Sequence, residues 1–547
     1  MNNCLIAKAA TASSAPPFIE SAEIAERHSA YLADESRFRG RAERLAFPES
    51  EAALAALLKA ASEAGAPVTL SGARTGITGG AVPASGWLLG FERMNRVLAM
   101  AEDSDTGSFR IVCQPGLTLE ALARSLARRN FEGSEQWPEA ARKTLERFRA
   151  ARAFFLPPDP TEQSASLGGM VACNASGARS FGYGPVRAYV NRLRLALIGG
   201  AVLDLRRGQA RAGEDGAFLL RLPGGAERSG RIPSYRQPAV KNAAGYFARP
   251  GMDLLDLFIG SEGTLAAFSE IELSLEPAPE TILGAIGFFP GEDDALEFVR
   301  NARKNHAGPE ANPLGRLLAI EYFDGRSLDL LRAQKARQGG ASHIPAFPAS
   351  ARAAVYVETG TSEAQLEDRA EALMEMLQAS GSSPDEAWTA TTGRETEILK
   401  AFRHALPEAV NQIIGERAQA HPGLTKLGTD FAVPDGAVED LIRAYRDTLD
   451  NAGLEYVLFG HLGDNHLHAN ILPRTPDEYS RGKALYMDLA RKAVELGGTV
   501  SAEHGIGKLK KELLKIMYGV SGIDAMRAVK RVFDPQMLLN RGNLFDA

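Results

Sequence analysis

The sequence predicts an α+β protein in two parts, a ligand-binding half built around glycine-rich loops and a second half with a helix-covered antiparallel sheet. Three observations predict it. The chain has 547 residues, too many for one ordinary hydrophobic core. Glycine clusters interrupt short alternating strands and helices in the first half. Past a proline-containing break, the order reads strand, helix, strand, strand, helix, strand, which suits an antiparallel α+β layer.

Composition narrows the classes of function. Hydrophobic residues make up 45% and charged residues 24%, an ordinary soluble balance. A formal net charge of -6 argues against nucleic-acid binding, which needs a basic face. The three cysteines, Cys4, Cys113 and Cys173, lie far apart with no C-x-x-C spacing. A disulfide scaffold and a cysteine-ligated iron–sulfur or zinc centre are thereby excluded. No apolar run reaches the roughly 18 to 20 residues of a transmembrane segment, and Met1 to Pro17 lacks a signal peptide's apolar core. A cytoplasmic location is expected, with peripheral attachment to the inner membrane through a partner still open.

Residues 1–44 read as a tail and helix. Ser50 to Glu63 has the Ala/Leu periodicity of an amphipathic helix, and Ala66 to Leu70 reads as a strand entering the turn SGARTGITGG. Residues 128–152 form a charged helical insertion within a ligand-binding domain spanning 45–275. Val202 to Pro238 reads as strands joined by Gly- and Arg-rich hairpins. The run LSLEPAPE, 273–280, marks the boundary to a second domain over 276–500. There, Ile282 to Phe289 and Ala353 to Glu358 are expected strands, Ala295 to Lys304 and Glu363 to Ser380 helices, and Gln338 to Ser350 a loop. A closing segment covers 501–547.

Three small-residue clusters stand out in the first half: 71–80, 157–184, and Ala244–Gly245 with IGSEGTL at 259–265. Such loops let backbone amides approach a diphosphate. Neither the P-loop pattern nor G-x-G-x-x-G is present, and each cluster alone could be a set of turns.

The second half concentrates histidine. Four of nine histidines fall in GHLGDNHLHANIL, 460–472, and SAEHGIGK, 501–508. Tyr456 to Phe459 reads as a strand and Gly463-Asp464-Asn465 as a turn. Alternation then places His466, His468 and Asn470 on one face. The turn can bring His461 and His468 together, and Glu503 is a natural third ligand. Two imidazoles and a carboxylate form a catalytic-metal pattern, with zinc–nitrogen bonds of roughly 2.0–2.1 Å.

On these motifs the chain resembles the FAD-linked oxidases of the vanillyl-alcohol-oxidase type. The resemblance runs from about residue 45 to the C-terminus. It is strongest to the branch holding D-lactate dehydrogenase, D-2-hydroxyglutarate dehydrogenase and the glycolate oxidase flavoprotein subunit. It implies a two-part FAD-binding domain, an α+β cap domain with an antiparallel sheet, and a C-terminal segment returning to the FAD domain. FAD would be held by Gly72, Ala73, Arg74, Thr75 and Gly76 in the first loop. The second loop would add Pro158, Asp159, Ser164, Ser166, Gly168, Gly169, Asn174, Gly177, Tyr183 and Gly184. Glu262, Gly263, Leu265 and Asn543 would complete the cradle. Arg74 departs from the family, which usually has a small residue there; its side chain must point outward or pair with a phosphate. No histidine lies between His28 and His306, and neither Cys113 nor Cys173 sits at a usual attachment point, so the FAD is expected to be non-covalent.

The family motif His-x-Gly-Asp-x-Asn-x-His-x-Asn is matched at His461, Gly463, Asp464, His468 and Asn470, and its Ala-Glu-His-Gly-x-Gly element at 502–507. By resemblance, His461, His468 and Glu503 bind a divalent metal, zinc first, with manganese or iron also suited. His504 is the catalytic base, and Arg403, Lys426 and Asn470 bind the substrate. His466 stands where many members have Asn, as either an outer donor or an alternative ligand. The implied reaction oxidises a D-2-hydroxy acid, D-lactate first, then D-2-hydroxyglutarate or glycolate. Without an iron–sulfur centre, electrons must pass from flavin to an external acceptor such as a cytochrome, a quinone or an electron-transferring flavoprotein. A homodimer is compatible. Two other readings share the architecture: a non-redox transferase of the alkylglycerone-phosphate synthase kind, and a subunit of a multi-subunit glycolate oxidase.

Overall fold

The computed structural model describes residues 17–103, 106–306, 313–391 and 393–546. Most of the N-terminal tail lies outside that range. Within 1–44, a short helix forms at Ser21–Arg27.

The expected amphipathic helix occupies Glu51–Ala64. Ser50 caps it by accepting the Ala53 N–H, and Gly65 ends it in the left-handed conformation that costs glycine little. Leu54, Leu57, Leu58 and Ala61 form its fully buried stripe. That stripe packs between two sheets, against Val68 and Leu89 on one side and Ala196 and Ala267 on the other. The first sheet has four strands, with Arg44–Ala46, Trp87–Gly90 and Val68–Ser71 parallel. The second is a five-stranded antiparallel sheet ordered Val97–Glu102, Phe109–Cys113, Ala267–Ser274, Val190–Ala196, Val202–Arg206.

The charged block 128–152 resolves into a 3-10 turn at Ser134–Gln136 and a helix at Glu139–Ala150. Its charges face water, while Leu145 and Phe148 are buried. Phe148 packs edge-on to Phe109 of the second sheet.

The second half carries an eight-stranded sheet, antiparallel throughout. Thr281–Phe289 and Ala353–Thr361 are neighbours in it, each buried along most of its length. One expectation is corrected. A helix at Gly325–Gln338 separates Leu317–Phe323 from Ala353–Thr361, so the order is strand, helix, strand, helix, strand, helix, strand. The missed helix is capped by Asp324, and Leu328 and Leu331 are its only fully buried aliphatic side chains. Two leucines make too thin a stripe to show as periodicity.

After the helical stretch Lys511–Phe533, broken at Gly519, the chain returns to the first sheet. Val68 donates to Leu538 O at 2.9 Å, and Asn540 donates to Val68 O at 2.7 Å. The C-terminal segment thus extends the edge of the sheet from which the first glycine loop leaves. No helix among the described residues is long and apolar enough to cross a membrane.

Candidate active site

The hairpin Tyr456–His461/His466–Ile471 explains how residues seven apart meet. Leu462–Asp464 makes a 3-10 turn and Asn465 closes it at φ 52°, so His461 pairs directly with His466 and Phe459 with His468. Leu467, Ala469 and Ile471 are fully buried on the other face. Glu503 enters from the loop after the helix Pro476–Glu495. The side chains of His461, His466, His468 and Glu503 bring one donor atom each to within 4.8 Å of one another. The structure therefore assembles the three expected ligands and adds His466.

Each imidazole is fixed from outside the cluster. The Glu321 carboxylate holds His461 Nδ1, leaving Nε2 3.3 Å from Glu503 Oε1. The Thr429 carbonyl oxygen lies 2.6 Å from His468 Nδ1. Asp430 Oδ1 lies 3.0 Å from His466 Nε2. Such outer partners select the tautomer and aim the other nitrogen inward. Lys241, buried, donates to Glu503, donates to Gly177 O at 3.0 Å, and lies 3.3 Å from Asp464 Oδ2.

Asp430 is the fully buried centre of the surroundings. It accepts backbone N–H bonds from Glu503 and His504 at 3.2 and 3.1 Å, and Lys510 Nζ lies 3.0 Å away. Burial opposes its charge, but His504, Lys510 and His466 win and hold the carboxyl well below its usual range. Lys241 and His461 do the same for Glu503. Burial also disfavours His461's charge, yet Glu321 and Glu503 raise it to about 10, while Glu321 falls to about 2. Burial pushes His466 down to about 3 and His504 to about 4. The His504 ring lies nearly parallel to that of His468 at 5.8 Å, with Nδ1 3.3 Å from Asp430 Oδ2 and part of the ring open.

Of the expected substrate residues, Asn470 is buried on the same strand face as His468. Arg403, on the helix Gly393–Ala420, reaches the cluster's edge with Nε 3.5 Å from Glu321 Oε2. Lys426 is an exposed residue, yet partial burial of its ammonium, with the charge of Arg37 of the N-terminal segment, holds it below its usual range. Among the described residues, no hydrogen bond or ion pair joins it to the cluster.

The glycine loops converge beside this site. Ser166 caps the helix Leu167–Cys173 and also receives the Ala73 N–H at 3.4 Å, joining the first and second loops. A Cβ at Gly72 would collide with Ser166 Oγ, and one at Gly168 would come within 2.6 Å of Pro115 Cβ. Glu262, left-handed at φ 52°, accepts the Ile506 and Gly507 N–H groups at 2.7 Å each, and so ties the third loop to the segment after His504. Asn543 donates to Gly80 O at 3.0 Å and accepts from Lys508 at 2.7 Å. Gly76 and Gly184 are open or loosely surrounded, a Cβ at Gly169 would meet Ser166 Oγ at 3.1 Å, and Leu265 is fully buried. Arg74 turns outward, its guanidinium 4.0 Å from the Tyr31 ring centroid. Asp159 packs against the second loop at Gly177. It accepts the Arg179 N–H, and Arg403 and His461 are among the charges acting on it.

Family comparison places the first two loops in an FAD-binding domain. The FAD-binding domain model matches residues 42–136 and 140–206, and the C-terminal domain model of the FAD-linked oxidases matches 279–544. The chain belongs to the FAD-linked oxidase family. This FAD-linked oxidase is 28% identical over 505 residues to the glycolate oxidase subunit GlcD of Bacillus subtilis, covering 91% of this chain and 88% of that one. It is 28% identical to a D-lactate dehydrogenase of Anaerostipes hadrus, over 90% and 87% of the two chains. A D-2-hydroxyglutarate dehydrogenase of Xanthomonas citri is likewise 28% identical, over 92% and 89%. Among solved structures, an alkyldihydroxyacetonephosphate synthase superposes with a TM-score of 0.57 at 15% identity, over 92% of this chain and 78% of that one. The shared fold is the two-domain one expected. The loops fit an FAD in one further respect. Ser71 Oγ and Ser176 Oγ, at the start of the first loop and within the second, are buried with no hydrogen-bond partner.

Glu321, Asp430 and Lys241 were not expected as site residues. Glu321 carries a signal, since it is the one charge in the apolar strand LLAIEYF.

Proposed function

We propose that this FAD-linked oxidoreductase oxidises a D-2-hydroxy acid, D-lactate first, to the 2-oxo acid, using non-covalent FAD and a divalent cation, zinc first, at His461, His468 and Glu503. The observation that carries the reading is that cluster, with inward imidazole nitrogens beside a neutral His504. The relatives named for D-lactate, D-2-hydroxyglutarate and glycolate support the substrate class. When bound, FAD supplies the hydride acceptor and the cation supplies a Lewis acid for the hydroxyl oxygen.

The protein's own part is positioning and proton transfer. Arg403 offers a planar guanidinium to the substrate carboxylate, and Asn470 offers an amide on the face shared with His468. Lys426, from its exposed place, supplies a longer-range charge. His504 takes the hydroxyl proton while the C2 hydride leaves, so C2 becomes a carbonyl and two electrons leave the substrate. Asp430, beside His504 Nδ1, stabilises the imidazolium that forms. Electrons then pass to an external acceptor.

The test is the visible spectrum of the holoprotein under anaerobic titration with D- and L-lactate, D-2-hydroxyglutarate and glycolate. Bleaching of the flavin band by one D-acid is expected. A flavin band that no hydroxy acid bleaches would overturn the reading and favour non-redox use of FAD.

A further inference from the structure

The His466 ring is fully buried, and its inward Nδ1 has no hydrogen-bond partner. Its Nε2 stands 3.0 Å from Asp430 Oδ1, which occupies the outer side of the ring and leaves Nδ1 facing inward. A buried polar group left unsatisfied costs about 1–3 kcal/mol. A leucine at this strand position would carry no such cost, so the imidazole needs a partner that the protein alone does not provide.

The surroundings point to what that partner is. The three hairpin imidazoles share one arrangement, with one nitrogen facing an outer acceptor and the other facing inward. For His461 the outer group is Glu321, for His468 it is the Thr429 carbonyl, and for His466 it is Asp430. His466 Nδ1 lies 3.9 Å from Glu503 Oε1. That is too long for a hydrogen bond but near the separation of two donors on one cation, roughly 3.3–3.4 Å for tetrahedral bonds of about 2.0–2.1 Å. His504, which also faces Asp430, differs, because its side chain is 30% exposed and it stands outside the four-donor group.

We propose that His466 Nδ1 is a fourth protein ligand, so that the cluster would hold its cation through three imidazoles and one carboxylate, with the substrate hydroxyl entering as a fifth donor. The inference rests on the metal reading of the cluster and adds a ligand to it. Asp430 then serves two histidines, aligning His466 for the cation with one oxygen and His504 for the proton with the other. A cation held by four protein donors stays resident through turnover and is lost slowly to chelators.

X-ray absorption of the zinc-loaded holoprotein counts imidazoles directly and needs no variant. Three imidazoles per zinc are expected, falling to two in His466→Asn. Zinc affinity, read by competition with a chromophoric chelator, should fall at least about tenfold in that variant, since loss of an outer partner alone costs 10–100-fold. Two imidazoles in the wild type, or equal affinity in both proteins, would overturn the fourth ligand while leaving the metal reading intact. A wild type that binds no zinc would overturn both.

Discussion

The Glu321 carboxylate holds Nδ1 of His461 and so leaves Nε2 turned toward Glu503, 3.3 Å away. A strand residue with no direct claim on a cation thus decides which nitrogen His461 can offer it. Replacing Glu321 by Gln keeps the shape but removes the charge that favours the Nδ1–H tautomer. Zinc affinity is expected to fall about 10–100-fold, with flavin content unchanged. Equilibrium dialysis against a chelator measures the first and the visible spectrum the second. Unchanged affinity would mean that His461 is oriented by the hairpin alone.

Lys241 places an ammonium against Glu503 and 3.3 Å from Asp464, where its charge offsets two buried carboxylates. Removing one partner of a buried pair costs about 3–5 kcal/mol. Lys241→Met should therefore lower the thermal midpoint of the metal-free protein by several degrees. Zinc should restore most of that loss, because a cation on Glu503 replaces the missing charge. The zinc-induced stabilisation is expected to be larger in the variant than in the wild type, and calorimetry with and without zinc reads both. An equal zinc effect would show that the ammonium and the cation do not compete for Glu503.

The legibility of this site follows its locality. His461, His466 and His468 were readable as a group because one tight hairpin carries them, and strand alternation dictates their faces. Glu503 and His504 were readable as a motif. Glu321, Asp430 and Lys241 arrive from three other segments, 140, 73 and 262 residues from their partners His461, Glu503 and Glu503. No local pattern encodes those meetings. The fold shows the same division. The helix Glu51–Ala64 announced itself through a continuous apolar stripe and a serine cap, whereas Gly325–Gln338, with two buried leucines, did not. Lys426 lies on a segment that matches the family motif, but its side chain is exposed and its place relative to the cluster is not encoded in that motif.

That contrast between Arg403 and Lys426 is measurable. Arg403 is largely buried at the edge of the cluster, and a charged hydrogen bond there is worth about 1.5–3 kcal/mol. Two bonds from one guanidinium make Arg403→Met expected to lower kcat/KM at least roughly 100-fold. Lys426→Met removes an exposed point charge, worth at most about 1 kcal/mol, so less than a tenfold loss follows. Both variants should keep their flavin and zinc. A larger loss at Lys426 would mean that this segment closes over the substrate.

The third glycine loop gives the pH dependence. Burial raises the Glu262 carboxyl to about 7, although the Ile506 and Gly507 N–H groups favour its anion. The unfolded chain releases that proton near the ordinary value of 4.5, while the folded chain keeps it to about 7. Between those values the native state binds more protons than the unfolded one, so stability falls as pH rises through the window. At about 1.4 kcal/mol per unit, the full effect is about 3 kcal/mol. Glu262→Gln keeps an acceptor for the backbone but cannot ionise. The stability of the wild type relative to this variant should therefore decline between pH 5 and pH 8 and level off above. Asp159 and Asp324, both raised to about 6 by burial, titrate in the same range in both proteins, and the difference cancels them. Urea midpoints of the two metal-free proteins at four pH values would show it. A constant difference would mean that the two backbone donors outweigh burial and that Glu262 is an anion throughout, with its charge facing the loops that receive the FAD diphosphate.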